Sequence, residues 1–211
     1  HNRYESFSTD TGAIFNNATT PTVSTQIGPI SANPNLRESA NLIVNEVVGT
    51  SSSQLAGAFE VAGNPADVVI ANPNGISIKG VHFINTPKAT FTTGVPHMVD
   101  GRLENVTIEK GNIDVIGAIN SPTEQSGSNV YTPISKVDLL ARTIRINADV
   151  VAKDAIRAVT GRNTVNYTDG TVTAMKSGES TTTGVALDVG AHGGMYGNII
   201  SLIGTETGVG V

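Results

Sequence analysis

The chain has no cysteine and no tryptophan, and only 15% of its residues are charged, against a usual ~25% in soluble domains. Without cysteine there is no disulfide framework, no thiolate metal site and no thiol nucleophile. Aromatic residues are few, four Tyr and five Phe, which is thin for a platform that stacks against sugars. The 13 basic residues are scattered under a net charge of −5, so the electrostatic footprint of a nucleic-acid binder is missing. No apolar run approaches the ~20 residues of a membrane-spanning helix, so the chain does not insert into a membrane by itself. Leu, Glu and Lys, the usual helix formers, are sparse.

What the chain has instead is Gly, 23 of them, with abundant Thr, Val and Asn. Thr and Val favour strands, and Asn and Gly favour turns. Residues 41–48 are apolar and β-branched and read as a strand. Ser53–Ala62 contains Leu, Ala and Glu, but Gly57 and the flanking Gly63 weaken a helical reading and favour a strand. From Val68 onward short β-branched runs recur between turns. Ile76-Ser77-Ile78, Val106-Thr107-Ile108, Ile144-Arg145-Ile146 and Ile200-Ser201-Leu202 share one apolar–polar–apolar pattern at irregular spacing. Irregular coils with inserted loops predict an all-β, right-handed parallel β-helix, in which each coil buries its apolar face only against its neighbours. The whole chain reads as one domain. Residues 1–45 form a capping region, and 46–211 form the helix with inserted loops near 121–133 and 164–184. Within the second insertion, Asp169-Gly170 lies between two alternating segments and predicts an antiparallel hairpin outside the coil stack. The start at His1 rather than Met fits a processed product or a trimmed chain. The apolar pattern running to Val211 without a polar cap predicts that the natural protein continues.

Two motifs stand out. Asn33-Pro34-Asn35-Leu36 and Asn72-Pro73-Asn74-Gly75-Ile76 both place Asn and Pro where a type I turn wants them. The second adds Gly at the fourth turn position and runs straight into Ile76-Ser77-Ile78. The first lacks that glycine and predicts a looser turn. The pair resembles the N-terminal secretion domain of two-partner secretion exoproteins, a family of filamentous haemagglutinin-type adhesins, secreted haemolysins and contact-dependent growth inhibition toxins. Other stretches fit the resemblance in order. They are Ser53-Gln54-Leu55 through Glu60-Val61-Ala62-Gly63, then Val68-Val69-Ile70-Ala71, Ala186-Leu187-Asp188-Val189, Gly193-Gly194-Met195-Tyr196, Leu202 to Glu206, and Gly208-Val209-Gly210-Val211.

The resemblance implies a parallel β-helix and a partner, an outer-membrane transporter with periplasmic POTRA domains and a β-barrel. It also implies a monomeric domain that is secreted to the bacterial surface through the periplasm, where a disulfide would obstruct threading. Its candidate functional residues are Asn33, Pro34, Asn35, Leu36, Asn72, Pro73, Asn74, Gly75 and Ile76. They serve either transporter recognition or folding, and the sequence leaves both open.

No catalytic, metal or cofactor signature accompanies them. His1, His82, His97 and His192 form no HExxH pair, and there is no EF-hand, GxSxG or P-loop. Two rival readings remain. A β-helical carbohydrate-active enzyme would need carboxylates such as Asp114, Asp138, Asp149 and Asp154 gathered in a groove. A host-binding adhesin module would need an exposed aromatic or apolar patch.

Overall fold

A computed structural model of the protein describes residues 1–120, 125–126, 129–130, 134–175 and 184–206. The described residues form strands, bridges, bends and turns and no helix. Two parallel sheets wind about each other. Sheet A runs, in spatial order, β1 (Asn2–Tyr4), β5 (Leu42–Val47), β7 (Asp67–Ala71), β9 (Lys88–Thr92), β15 (Lys136–Ala141), β18 (Ala155–Thr160) and β23 (Ile199–Gly204). Sheet B runs β2 (Gly12–Asn17), β6 (Ser53–Gly63), β8 (Ile76–Ile84), β12 (Asn112–Ile119), β16 (Thr143–Ile146) and β21 (Leu187–Val189). It is extended by β17 (Asp149–Val151) beside β12 and β22 (Gly194–Tyr196) beside β17. The chain passes from a strand of sheet A through a corner to a strand of sheet B, then back one coil further on. That is a parallel β-helix, as the irregular recurrences implied. The sheet-B strands break register between Leu55 and Gly57 and between Val115 and Gly117.

Alternation along the strands builds the core. Ile76, Ile113, Ile144 and Leu187 stack in one column, and Leu55, Ile78, Val115 and Ile146 in the next. Opposite them, Ile70, Phe91, Leu139 and Ala158 stack in sheet A. A further stack is aromatic. Ring centroids run Phe7 to Phe15 at 6.5 Å, Phe15 to Phe59 at 6.2 Å, Phe59 to Phe83 at 5.5 Å and Phe83 to Phe91 at 5.9 Å. All five phenylalanines of the chain therefore share one stack in the N-terminal coils.

The central strands of sheet A are buried on both faces, while its end strands β1 and β23 are largely exposed. Strands β10 (Val95–Val99), β11 (Arg102–Ile108), β19 (Asn163–Asn166) and β20 (Val172–Ala174) form an antiparallel sheet outside the coils. Leu103, Val106, Ile108 and Val165 from this outer sheet pack on Val44, Val69, Ala71, Leu140 and Val159 of sheet A. Double burial explains why Val68-Val69-Ile70-Ala71 is apolar throughout rather than alternating. Two further hairpins are β3 (Thr22–Thr25) with β4 (Gly28–Ser31), and β13 (Gln125–Ser126) with β14 (Asn129–Val130).

The expected hairpin around Asp169-Gly170 is present as β19–β20, with Gly170 at φ +77°. Its loop is wider than a two-residue turn, since Asn166 N–H donates to Thr171 O at 2.9 Å and Gly170 N–H to Asn166 O at 3.0 Å. It does not project freely, because β19 pairs with β11. The four aligned apolar–polar–apolar segments are not equivalent. Residues 76–78 and 144–146 lie in sheet B, 200–202 in sheet A, and 106–108 in the outer sheet. Most of the insertion at 121–133, residues 176–183 of the second insertion and the segment 207–211 lie outside the described residues.

Candidate functional site

Both Asn-Pro-Asn segments close as turns, by the same bonds. In the first, Leu36 N–H donates to Asn33 O at 3.2 Å and Asn35 N–H donates to Asn33 Oδ1 at 3.0 Å. In the second, Gly75 N–H donates to Asn72 O at 3.1 Å and Asn74 N–H donates to Asn72 Oδ1 at 2.9 Å. Proline at the second position fixes φ and removes a donor that would have no partner. The asparagine side chain folds over to take the next free amide. The first turn is therefore not looser, despite lacking the glycine. The leading Asn and Pro already supply the closure.

The surroundings differ. The second turn forms the corner between β7 and β8 and is held by coils on both sides. Asn72 is fully buried. Its Nδ2 donates to Ser51 O at 3.0 Å and Ser53 Oγ at 2.9 Å on the preceding coil, and its backbone N–H donates to Thr92 O at 2.9 Å on the following one. Asn74 Nδ2 donates to Gly49 O at 2.8 Å, and Ser53 N–H donates to Gly75 O at 3.0 Å. Gly75 sits at φ +111°, and a side chain there would come within 3.2–3.3 Å of Asn112. Ile76, directly after, is buried as the first core residue of β8.

The first turn lies beyond β4, against the first coil. Asn33 Nδ2 donates to Asn16 O at 2.9 Å and Asn33 N–H to Ala18 O at 2.8 Å. Pro34 and Asn35 are exposed, and Leu36 is half-buried. Asn33 and Leu36 line a cavity of ~260 Å³ at the open N-terminal end, with His1, Tyr4, Phe15 and Ile43 among its other walls.

The outer sheet is fastened by a charge cluster that the sequence did not disclose. Asp138 Oδ2 meets Lys88 Nζ at 2.9 Å and Arg157 Nη2 at 2.7 Å, and its side chain is only 8% exposed. Arg157 Nη1 also donates to Gly170 O at 3.1 Å in the hairpin loop. Lys88 Nζ lies 4.5 Å from the centroid of the Tyr167 ring. Burial pushes the Tyr167 phenol well above the usual tyrosine range, with a smaller push from Asp67. The signal in the sequence would have been the lateral register, which places Asp138 beside Arg157 but only once strands are paired.

The four carboxylates considered for an enzyme do not converge. Asp114 faces out from sheet B, 3.7 Å from Arg145, while Asp138 faces out from sheet A. Asp149 begins β17, and Asp154 lies in the corner before β18. Among the described residues no three His, Asp or Glu side chains come together as a metal site. His97 Nε2 pairs with Thr107 Oγ1 at 2.9 Å in the outer sheet, His82 lies on β8, and His192 is exposed in a turn.

A parallel β-helix with extra-helical hairpins and two asparagine–proline turns, one at its open end and one in a corner of the stack, defines the class of protein. The family model for the TPS secretion domain matches residues 1–211, and the chain belongs to that family. It is 42% identical over 216 residues to the 16S rRNA endonuclease CdiA of Enterobacter cloacae, 43% over 216 residues to a tRNA nuclease CdiA of Escherichia coli, and 34% over 219 residues to the filamentous hemagglutinin of Bordetella pertussis. Each alignment covers all of this chain and 6% of the relative, so the chain spans a small fraction of the proteins it matches. A crystal structure of the filamentous hemagglutinin secretion domain superposes with a TM-score of 0.89 at 32% identity, covering all of this chain and 70% of that one. The chain is a secretion domain of the CdiA and filamentous hemagglutinin type. By that family its task is secretion.

Proposed function

We propose that the partner is an outer-membrane transporter, that its periplasmic POTRA domains take up this domain as extended chain, and that the coils close only after it has passed through the β-barrel. The observation that supports this is the burial of the second motif. Asn72 is inaccessible once β6, β8 and β9 have stacked, so a partner reading it must do so earlier. An extended segment can add to a POTRA sheet edge through backbone hydrogen bonds. Outside, each coil that stacks buries apolar surface at ~25 cal/mol per Å² and opposes backsliding without ATP. Parallel pairing is non-local and slow, which keeps the chain open during transit. In this reading residues 1–211 act as one monomeric unit. Asn72, Pro73, Asn74, Gly75 and Ile76 serve folding. Asn33, Pro34, Asn35 and Leu36, set at an open end, serve first contact.

The test is the affinity of the purified periplasmic transporter domains for the native domain and for a variant unfolded by Gly75→Val under mild urea. Tighter binding to the unfolded form is expected. Equal or tighter binding to the native form would replace this mechanism with recognition of a folded surface.

A further inference from the structure

Asn74-Gly75 is the sole Asn-Gly dipeptide in the chain. In an unfolded chain this pair is the least hindered for deamidation, because glycine puts no Cβ in the way of its own amide nitrogen. That nitrogen attacks Asn74 Cγ, the C–N bond of the side-chain amide breaks, and ammonia leaves with the displaced proton. Water then opens the succinimide to aspartate or isoaspartate.

We propose that Asn74 is a modification site gated by folding. The closed corner protects it, and a chain that has deamidated there can no longer form the corner. The protection is local and specific. The attacking nitrogen is held as a donor to Asn72 O at 3.1 Å. The leaving amide is held twice, donating to Gly49 O at 2.8 Å and to Asn72 Oδ1 at 3.2 Å. The incompatibility rests on the same bonds. An aspartate in place of Asn74 would turn a carboxylate oxygen toward those two acceptors. An isoaspartate would add a backbone carbon between Asn74 and Gly75, whose carbonyl is tied to Ser53 N–H at 3.0 Å. Lys110 Nζ, 3.4 Å from Asn74 Oδ1, is the nearest compensating charge, and it acts on the other oxygen. The chemistry stands apart from the secretion reading. Its consequence for export rests on that reading, since only a chain held unfolded in transit would be exposed to it.

The experiment uses the purified domain alone, incubated at mildly alkaline pH either folded or in urea, with peptide mass spectrometry locating the loss of ammonia. Deamidation at Asn74 is expected to be at least about tenfold slower in the folded domain, a ratio that only ~1.4 kcal/mol of local-opening free energy supplies. The aged, denatured sample is then diluted to refold and separated into folded and unfolded fractions. Modified Asn74 is expected to concentrate in the unfolded fraction, and Asn74→Asp is expected to unfold at lower urea than the parent. Equal rates in the two states would overturn the protection. Modified chains recovered equally in the folded fraction, or an unshifted Asn74→Asp, would overturn the incompatibility. None of these outcomes involves the transporter, so none bears on its mode of binding.

Discussion

The two Asn-Pro-Asn turns form an internal comparison. Their closing hydrogen bonds match within 0.1 Å, at 3.2 and 3.1 Å for the backbone bond and 3.0 and 2.9 Å for the side-chain bond. Yet one is a buried corner gripped by coils above and below, and the other is an open turn at the end of the stack. Local sequence sets the shape of a turn, while the position of the turn in the stack decides how much stability depends on it. A polar side chain with several buried partners is costly to truncate because those partners lose their bonds without regaining water.

The largest expected effect separates the two leading asparagines. Asn72→Ala should cost about 3 kcal/mol, since it strips the buried Ser53 Oγ and the partly buried Ser51 O and Asn74 amide of their partner, whereas Asn33→Ala should cost only about 1 kcal/mol. Urea denaturation of both variants measures it, and equal costs would break the comparison. Next comes a contrast between glycines. Gly75→Val should lose ~2–3 kcal/mol from its φ of +111° and the close approach to Asn112. Gly170→Val, in a half-buried hairpin loop at φ +77° where the nearest atom is the end of the Arg157 side chain, should lose about 1 kcal/mol. A similar loss at both would mean that the corner adds nothing to backbone strain. The smallest effect on stability is expected from Pro34→Ala with Asn35→Ala, within about 0.5 kcal/mol because both side chains are exposed. If the first motif serves contact, that double variant should still be secreted poorly while folding like the parent. Normal secretion would return the first motif to a folding role.

The sequence showed those features that depend on neighbours in the chain. The run at 41–48 became Leu42–Val47, and Ser53–Ala62 became a strand despite its Leu, Ala and Glu, because Leu55, Phe59 and Val61 alternate into the core. Asp169-Gly170 announced its hairpin. What stayed hidden depends on which coils stack. Val106-Thr107-Ile108 has the alternation of a coil strand but lies in the outer sheet, since one apolar face looks the same whichever sheet it covers. The five phenylalanines look scattered at positions 7, 15, 59, 83 and 91 and become neighbours only when coils superpose. At the candidate site, the two turns were legible from the motifs. The difference in burial between Asn33 and Asn72 was not, because it is set by Gly49, Ser51, Ser53 and Thr92 on adjoining coils.

The phenylalanine column also equips the molecule with a built-in optical readout. With no tryptophan present, the fine structure of Phe in the near-ultraviolet dichroism spectrum is free of tryptophan bands, and every phenylalanine contributing to it sits in the N-terminal coils. The tyrosines are spread out: Tyr4 lies 5.2 Å from Phe7, Tyr167 follows β19 and packs under the outer sheet, and Tyr196 ends β22. One unlabelled sample, watched in the Phe band and in the far ultraviolet where every strand contributes, thus resolves whether the solenoid zips from its first coil onward or closes all at once.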